Sequence, residues 1–313
     1  MRSSARVALR IVGAVLACVL FGSIWQACAA SRGMRQIAPA GQLVDVGGHK
    51  LHLQCVGTGS PTVILEASGL GNASSWRKVQ PQVAARTRVC AYDRAGMGHS
   101  EPGPLPRDGR QLAAELRALL QAAQLPPPYL LVGHSAGGVV VRLFAAAHPT
   151  EVAGLVLVDT ATDDALAAHP EIVARMKRAL WAARIEVRVG LLRLFDPFHL
   201  DARDAALTYR PQVFDAAYAM VAAFPQTFAQ LAAARFPDLP TVVLTHGKPG
   251  DWAGPGLIRS DEADALEQAW QSAQATLVRR STAGKLVIAG ASGHQIPDEQ
   301  PDLVTHSILD LLH

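Results

Sequence analysis

The stretch Tyr129-Leu130-Leu131-Val132-Gly133-His134-Ser135-Ala136-Gly137 decides how the rest of the chain is read. Its first four residues form an apolar run of strand type, and Ala136–Ala147 carries a helical pattern. Between them a serine stands with Gly133 and Gly137 two residues to either side. A strand that turns into a helix at one residue forces that residue into a strained backbone conformation. Side chains at the flanking glycine positions would collide with adjacent elements. The helix that follows points its N-terminus, with unpaired amides and the positive end of its dipole, at any oxyanion formed beside the serine. As a bare pattern the spacing is common; the strand–turn–helix context makes Ser135 a candidate nucleophile.

Outward from this turn, apolar runs bounded by turn residues recur. Gln42–Val46 and His49–Cys55 flank Gly47-Gly48, a hairpin signal. Thr62–Ala67, Arg88–Tyr92, Ala153–Val158, Pro240–Thr245 and Leu286–Ala289 read as further strands. Helical patterns occupy Ser75–Ala85 and Asp108–Gln124; in the latter, Leu112, Leu116, Leu119 and Leu120 share one face and Asp108 is placed to cap it. Strands alternating with helices imply a mostly parallel sheet covered on both faces. Thr160–Asp238 breaks the rhythm with Ala-rich helical sequence and no strand signal, and is expected to form a helical cap over the carboxyl edge of the sheet, where α/β folds bind ligands.

The chain has 313 residues, half of them hydrophobic and 18% charged, which is enough to bury a real core. Its net charge of +3 is unevenly placed. The first 44 residues hold Arg2, Arg6, Arg10, Arg32 and Arg35 and no acid; without them, 24 Lys and Arg face 26 Asp and Glu. A nucleic-acid binder keeps its basic excess on the folded domain, so that class is set aside. Three of these arginines precede the apolar run Ile11–Trp25, and 21 uncharged residues extend from Ile11 to Ser31, enough to span a bilayer. The basic flank favours export of everything that follows. Residues 1–35 are therefore expected to be a signal and tether and residues 36–313 the folded domain. An uncleaved anchor is preferred, with cleavage after the small residues Ala27-Cys28-Ala29 as the alternative. Cys55 and Cys90 both fall in expected strands, where export permits a disulfide and burial as thiols is equally compatible.

From about Gly41 to the end the chain resembles the α/β-hydrolase fold family, most of all bacterial serine hydrolases of esterase and lipase type that carry an N-terminal membrane segment. The resemblance rests on the serine turn and on three further stretches. Leu65-Glu66-Ala67-Ser68-Gly69-Leu70-Gly71 stands where the family has its oxyanion loop. Tyr92-Asp93-Arg94-Ala95-Gly96-Met97-Gly98-His99-Ser100 matches the turn after the fourth strand. Ser292-Gly293-His294, followed by Asp298, Glu299 and Pro301, matches the catalytic-histidine loop after the last strand. The resemblance implies an eight-stranded, mostly parallel sheet with a cap after strand six. It also places Cys55 and Cys90 on adjacent strands, which strengthens the disulfide expectation.

For the site, the resemblance implies Ser135 as nucleophile, His294 as base, and the backbone amides of Leu70 and Ala136 as oxyanion donors. The family's usual His-Gly pair in the oxyanion loop is Ser68-Gly69 here, so a supporting histidine is missing. Among eleven histidines, His99 and His246 are the rivals to His294; His134 is expected to point away from the nucleophile. The acid stays open between two aspartates. Asp159 ends the strand before the cap, and Asp251 lies in a loop after the next strand that is one residue longer than the family's usual spacing and contains proline. The match of the residues before Asp159 favours it.

A serine at position 135 argues against the family's epoxide hydrolases and haloalkane dehalogenases, which use an aspartate nucleophile. Ester hydrolysis through an acyl-enzyme is expected, without metal or organic cofactor and on an apolar small-molecule ester. Amide hydrolysis and acyl transfer on the same residues, or a non-catalytic ligand-binding role, are the alternatives.

Overall fold

The computed structural model describes residues 2–249 and 258–312. Eight strands form one sheet: β1 (Gln42–Asp45), β2 (Lys50–Val56), β3 (Thr62–Glu66), β4 (Val89–Tyr92), β5 (Tyr129–His134), β6 (Val152–Val158), β7 (Thr241–His246) and β8 (Gly284–Ala289). Their spatial order is β1-β2-β4-β3-β5-β6-β7-β8. The β1–β2 and β2–β4 pairs are antiparallel and the others parallel. This is the α/β-hydrolase architecture.

The strand alternation explains the two cores. On one face Ile64, Cys90, Leu131, Leu155, Leu157 and Val243 pack against the helices Gly109–Ala122, Ala136–Ala147 and Ala263–Val278. Their chain neighbours Val63, Val89, Leu130, Val156 and Val242 point the other way, onto Trp76, Val79, Val83, Val304 and Ile308. Burial on both faces is what a near-continuous apolar strand requires.

Most expected elements are present, with instructive differences. The helix anticipated over Ser75–Ala85 is instead a short 3-10 turn, Ala73–Trp76, and a separate helix, Gln80–Ala84. Pro81 explains the break: it lacks an N–H and its ring would strike the carbonyl four residues earlier, so it is tolerated only in the first turn of a new helix. A long helix, Ala263–Val278, lies between β7 and β8 where no element was expected. Between β6 and β7 the chain runs through six helices, from Asp163–Ala167 to Phe224–Ala233. One of them is tied to the main body: Thr227 Oγ1 and Gln230 Oε1 accept from the Gly109 and Arg110 amides at the N-terminus of Gly109–Ala122, both at 2.9 Å.

The N-terminal helix Arg2–Gln36 is long and apolar enough to cross a membrane, and its apolar window is not buried by the rest of the chain. Cys55 and Cys90 face each other across the β2–β4 pair and form a disulfide at a sequence separation of 35. Closing a loop of that length removes enough unfolded-chain entropy to contribute about 4 kcal/mol. The Cys55→Ser/Cys90→Ser protein should therefore unfold at distinctly lower urea concentration than the oxidised wild type. Equal midpoints would mean that the sheet does not depend on the bridge.

Candidate active site

The serine turn has the strained geometry that its sequence requires. Ser135 adopts φ 53° and ψ −121°, between β5 and the helix Ala136–Ala147. Its own amide donates to the Val158 carbonyl at 3.0 Å, and its carbonyl accepts from Gly138 N, Ala161 N and Thr160 Oγ1, each at 3.0 Å. The flanking glycines are sterically compelled. A Cβ on Gly133 would lie 2.7 Å from the Gly137 carbonyl, and one on Gly137 would lie 2.5 Å from the Ala67 carbonyl oxygen. Ala136 is the first residue of its helix, so its amide has no intrahelical acceptor.

Asp159 follows β6 with φ 42° and is wholly buried. Its Oδ2 faces Nδ1 of His294 at 2.6 Å and Nδ1 of His246 at 2.8 Å. Its Oδ1 accepts from the Trp270 indole at 2.9 Å and from the His246 amide at 3.3 Å. Burial alone would raise its pKa, but the hydrogen bonds and charges of the two histidines outweigh that and hold the carboxyl well below the usual carboxylate range.

His294 is brought to this carboxylate by the loop after β8. The Gly247 and Lys248 amides donate to the Ser292 carbonyl at 3.2 and 3.0 Å, pinning that loop to the end of β7. Nδ1 of His294 is committed to Asp159, which leaves Nε2 for proton exchange. The Trp270 ring stands edge-on to the imidazole at 5.9 Å. His134, expected to point away from the nucleophile, has its side chain directed to His294. Its Nε2 lies 2.9 Å from the His294 carbonyl and its ring 4.9 Å from the His294 ring, so it braces that residue. Burial and the neighbouring His294 push the His134 pKa down to about 3, keeping it neutral.

The two rivals for the base are accounted for. His99 packs on His52 at 5.1 Å, and His52 is bonded to Asp93 at 2.9 Å. His246 lies at the end of β7 between two carboxylates, with Nδ1 2.8 Å from Asp159 and Nε2 2.9 Å from Glu267. Carboxylates only accept, so both nitrogens must carry protons. Burial opposes that charge, yet Asp159 and Glu267 together push the His246 pKa up to about 9. Asp251 lies outside the described residues.

The loop expected to carry an oxyanion donor has Ser68 in place of a histidine, and Arg94 holds it. The buried guanidinium pairs with Glu66 and reaches the carbonyls of Ala67 at 2.6 Å, Ser68, and Gly69 at 3.1 Å. Tyr92 completes the cluster by donating to Glu66. Leu70 packs into the small core formed by Met97, Val187, Leu192, Tyr209, Val213 and Phe214, so the helices between β6 and β7 sit over this loop. Among the described residues no group of His, Cys, Asp and Glu is arranged to hold a metal ion.

Trp270, Glu267 and the second role of Asp159 toward His246 were not anticipated. The available signal was the spacing of Leu266, Trp270, Ala273 and Leu277, all buried along one face of Ala263–Val278.

Comparisons with known proteins bear on the family of the chain. A family described as alpha/beta hydrolase fold matches residues 61–300. An uncharacterized protein of Bacillus subtilis, YqjL, is 23% identical over 264 residues, 82% of this chain and 85% of that protein. A 2-hydroxy-6-oxo-2,4-heptadienoate hydrolase of Pseudomonas putida is 35% identical over 123 residues, 38% of this chain and 44% of its own length. Among solved structures, a thermophilic esterase from Thermogutta terrifontis superposes with a TM-score of 0.61 at 22% identity, covering 87% of this chain and 97% of the esterase.

The His246 imidazolium makes a pH prediction. Its folded-state pKa of about 9 lies above its ordinary 6.5. Its contribution to stability is therefore complete below about pH 6.5 and is lost as pH rises through about 9. Melting temperatures recorded across this range should fall more steeply for wild type than for His246→Gln. Parallel curves would show that His246 is not held as a cation.

Proposed function

We propose that this chain, a hydrolase that belongs to the α/β hydrolase fold family, cleaves carboxylic esters through an acyl-enzyme formed on Ser135. The observation that carries the proposal is the 2.6 Å contact between His294 and the buried Asp159, next to a serine held at positive φ on a glycine-flanked turn. Asp159 accepts from Nδ1–H, fixes the tautomer with Nε2 unprotonated, and stabilises the imidazolium that forms. Nε2 takes the proton as Ser135 Oγ attacks the ester carbonyl. The Leu70 and Ala136 amides hold the oxyanion of the tetrahedral intermediate. His294 then passes the proton to the departing alcohol, leaving the acyl group on Ser135. Water, deprotonated by the same histidine, releases the acid.

Each part has a stated support. Ala136 contributes the first amide of a buried helix, where no intrahelical partner competes for it. The Arg94 clamp on the Ala67, Ser68 and Gly69 carbonyls holds the loop that carries Leu70. Loss of one such donor costs about a hundred- to a thousandfold in turnover. Asp159 is the acid in preference to Asp251 because its carboxylate already accepts from His294. Leu70 packs against an apolar core of cap residues, and a Cβ on the neighbouring Gly69 would lie 3.4 Å from Met220 Cε of the cap, surroundings that suit an apolar acyl or alcohol group.

The domain is also assigned to the extracytoplasmic side of a membrane, held by its uncleaved N-terminal helix. The support is the apolar length of the helix and the three arginines that precede its apolar run, which favour an orientation with the following domain outside the cytoplasm.

Hydrolysis of p-nitrophenyl esters should be abolished in Ser135→Ala and lowered by about four orders of magnitude in Asp159→Asn, with Asp251→Asn close to wild type. Melting curves of the same variants serve to check that each is folded. Turnover that survives in Ser135→Ala would overturn the assignment of the nucleophile. Equal loss in Asp251→Asn and none in Asp159→Asn would move the acid to the other loop.

A further inference from the structure

The N-terminal helix does not end with its apolar run; from Gly22 to Gly33 it lies against the cap, at the helices Pro170–Arg188 and Ala202–Thr208. The contact face is made of small residues. A Cβ on Gly22 would sit 2.4 Å from the Val189 carbonyl oxygen, and one on Gly33 would sit 2.8 Å from Ala206 Cβ. The Trp25 ring lies against Gly190, where a Cβ would come within 2.8 Å of it. Between these points Gln26 is buried, donating to the Tyr209 carbonyl at 2.6 Å and accepting from Arg193 Nε at 3.0 Å. Gly22, Gln26 and Gly33 are four and seven residues apart, one stripe of a helix. A buried amide satisfied at both ends by the cap fixes the rotation and register of the contact.

This contact sets the cap at the membrane boundary. With the 21 uncharged residues Ile11–Ser31 as the span, Trp25 lies about 9 Å short of its outer end, and the contacts from Gly22 to Gly33 straddle the outer interface. The corner that Trp25 touches, Val189-Gly190, is followed by exposed apolar residues. Leu191 is 41% exposed, Leu194 65%, Phe195 73% and Phe198 41%. Before the corner, Trp181 and Ile185 are exposed one turn apart on Pro170–Arg188. Single exposed apolar side chains are ordinary, but six around one corner form a patch that a soluble surface avoids. Arg178 and Arg188 share the helical face of Trp181 and Ile185 and are also exposed, although Arg188 pairs with Asp215 at 2.6 Å. Apolar tips flanked by arginines suit the boundary between acyl chains and anionic headgroups.

We infer that this patch is docked on the bilayer that the N-terminal helix crosses. Leu191, Leu194, Phe195 and Phe198 enter the headgroup region beside the helix exit, and the cap rests on the lipid surface. The inference depends on the anchored assignment of the helix. Because the cap core encloses Leu70 of the oxyanion loop, the docked cap would deliver the site's ester substrate from the lipid side and not from bulk water.

The test uses the full chain reconstituted into vesicles of equimolar phosphatidylcholine and phosphatidylglycerol. In a Cys18→Ala/Cys28→Ala background, a polarity-sensitive fluorophore is placed at Leu194→Cys, at Phe195→Cys and, as control, at Lys285→Cys on the exposed edge strand. The labels at 194 and 195 should be quenched by a lipid-borne nitroxide and shielded from aqueous iodide, and the label at 285 should show the reverse. Protein that floats with the vesicles while the 194 and 195 labels respond only to iodide overturns the docking and leaves the anchor standing. A blue-shifted label that lipid nitroxide does not quench and that reverts on dilution means that a second copy covers the patch, and also overturns it. Protein that does not float with the vesicles removes the anchor and the docking together.

Discussion

Asp159 is fully buried and still held in its charged form, and the rest of the site is arranged around keeping it so. Two imidazoles and an indole converge on its two oxygens from three separate elements: the loop after β8, the end of β7 and the helix Ala263–Val278. An isolated carboxylate at that depth would be protonated or would unfold its surroundings. Here the charge of His246, itself neutralised on its far side by Glu267, offsets the cost, and His294 Nδ1 shares the same carboxylate oxygen. The carboxylate thus ties together the carboxyl ends of β6, β7 and β8, which is where the sheet order places them side by side.

The same logic of compelled positions runs through the neighbouring turn. Ser135 keeps its positive φ because Gly133 and Gly137 admit no side chain and because its carbonyl is held by three donors. Backbone strain of this kind persists only where the surroundings over-determine it. Arg94 does the corresponding work on the loop that carries Leu70, holding it through the Ala67 and Gly69 carbonyls. Above it, the cap helices join the loop to the N-terminal helix through Tyr209, whose ring lies in the core with Leu70 and whose carbonyl receives Gln26.

Much of this was legible in the sequence, and the reasons are local. Apolar runs such as Leu130–Val132 and Leu155–Val158 announce buried parallel strands because both faces are covered. The serine turn announces itself because glycine is obligatory at fixed offsets. His294 and Asp159 could be placed at strand ends by order along the chain, but which carboxylate His294 would meet depends on how three loops meet in space, and spacing does not carry that. The shared carboxylate was hidden for the same reason: His246 and Trp270 are separated from Asp159 by 87 and 111 residues. The small-residue face of the N-terminal helix was also invisible, since Gly22, Gln26 and Gly33 acquire meaning only opposite Val189, Tyr209 and Ala206.

The central claim is that a single serine, activated through His294 and Asp159, becomes covalently acylated. Its most direct measurement is peptide mapping by mass spectrometry after the folded protein has reacted with a fluorophosphonate. The adduct should be found on the peptide that contains Ser135 and should form far more slowly in Asp159→Asn. A folded wild-type protein that acquires no adduct, or acquires it on a different residue, would contradict the account.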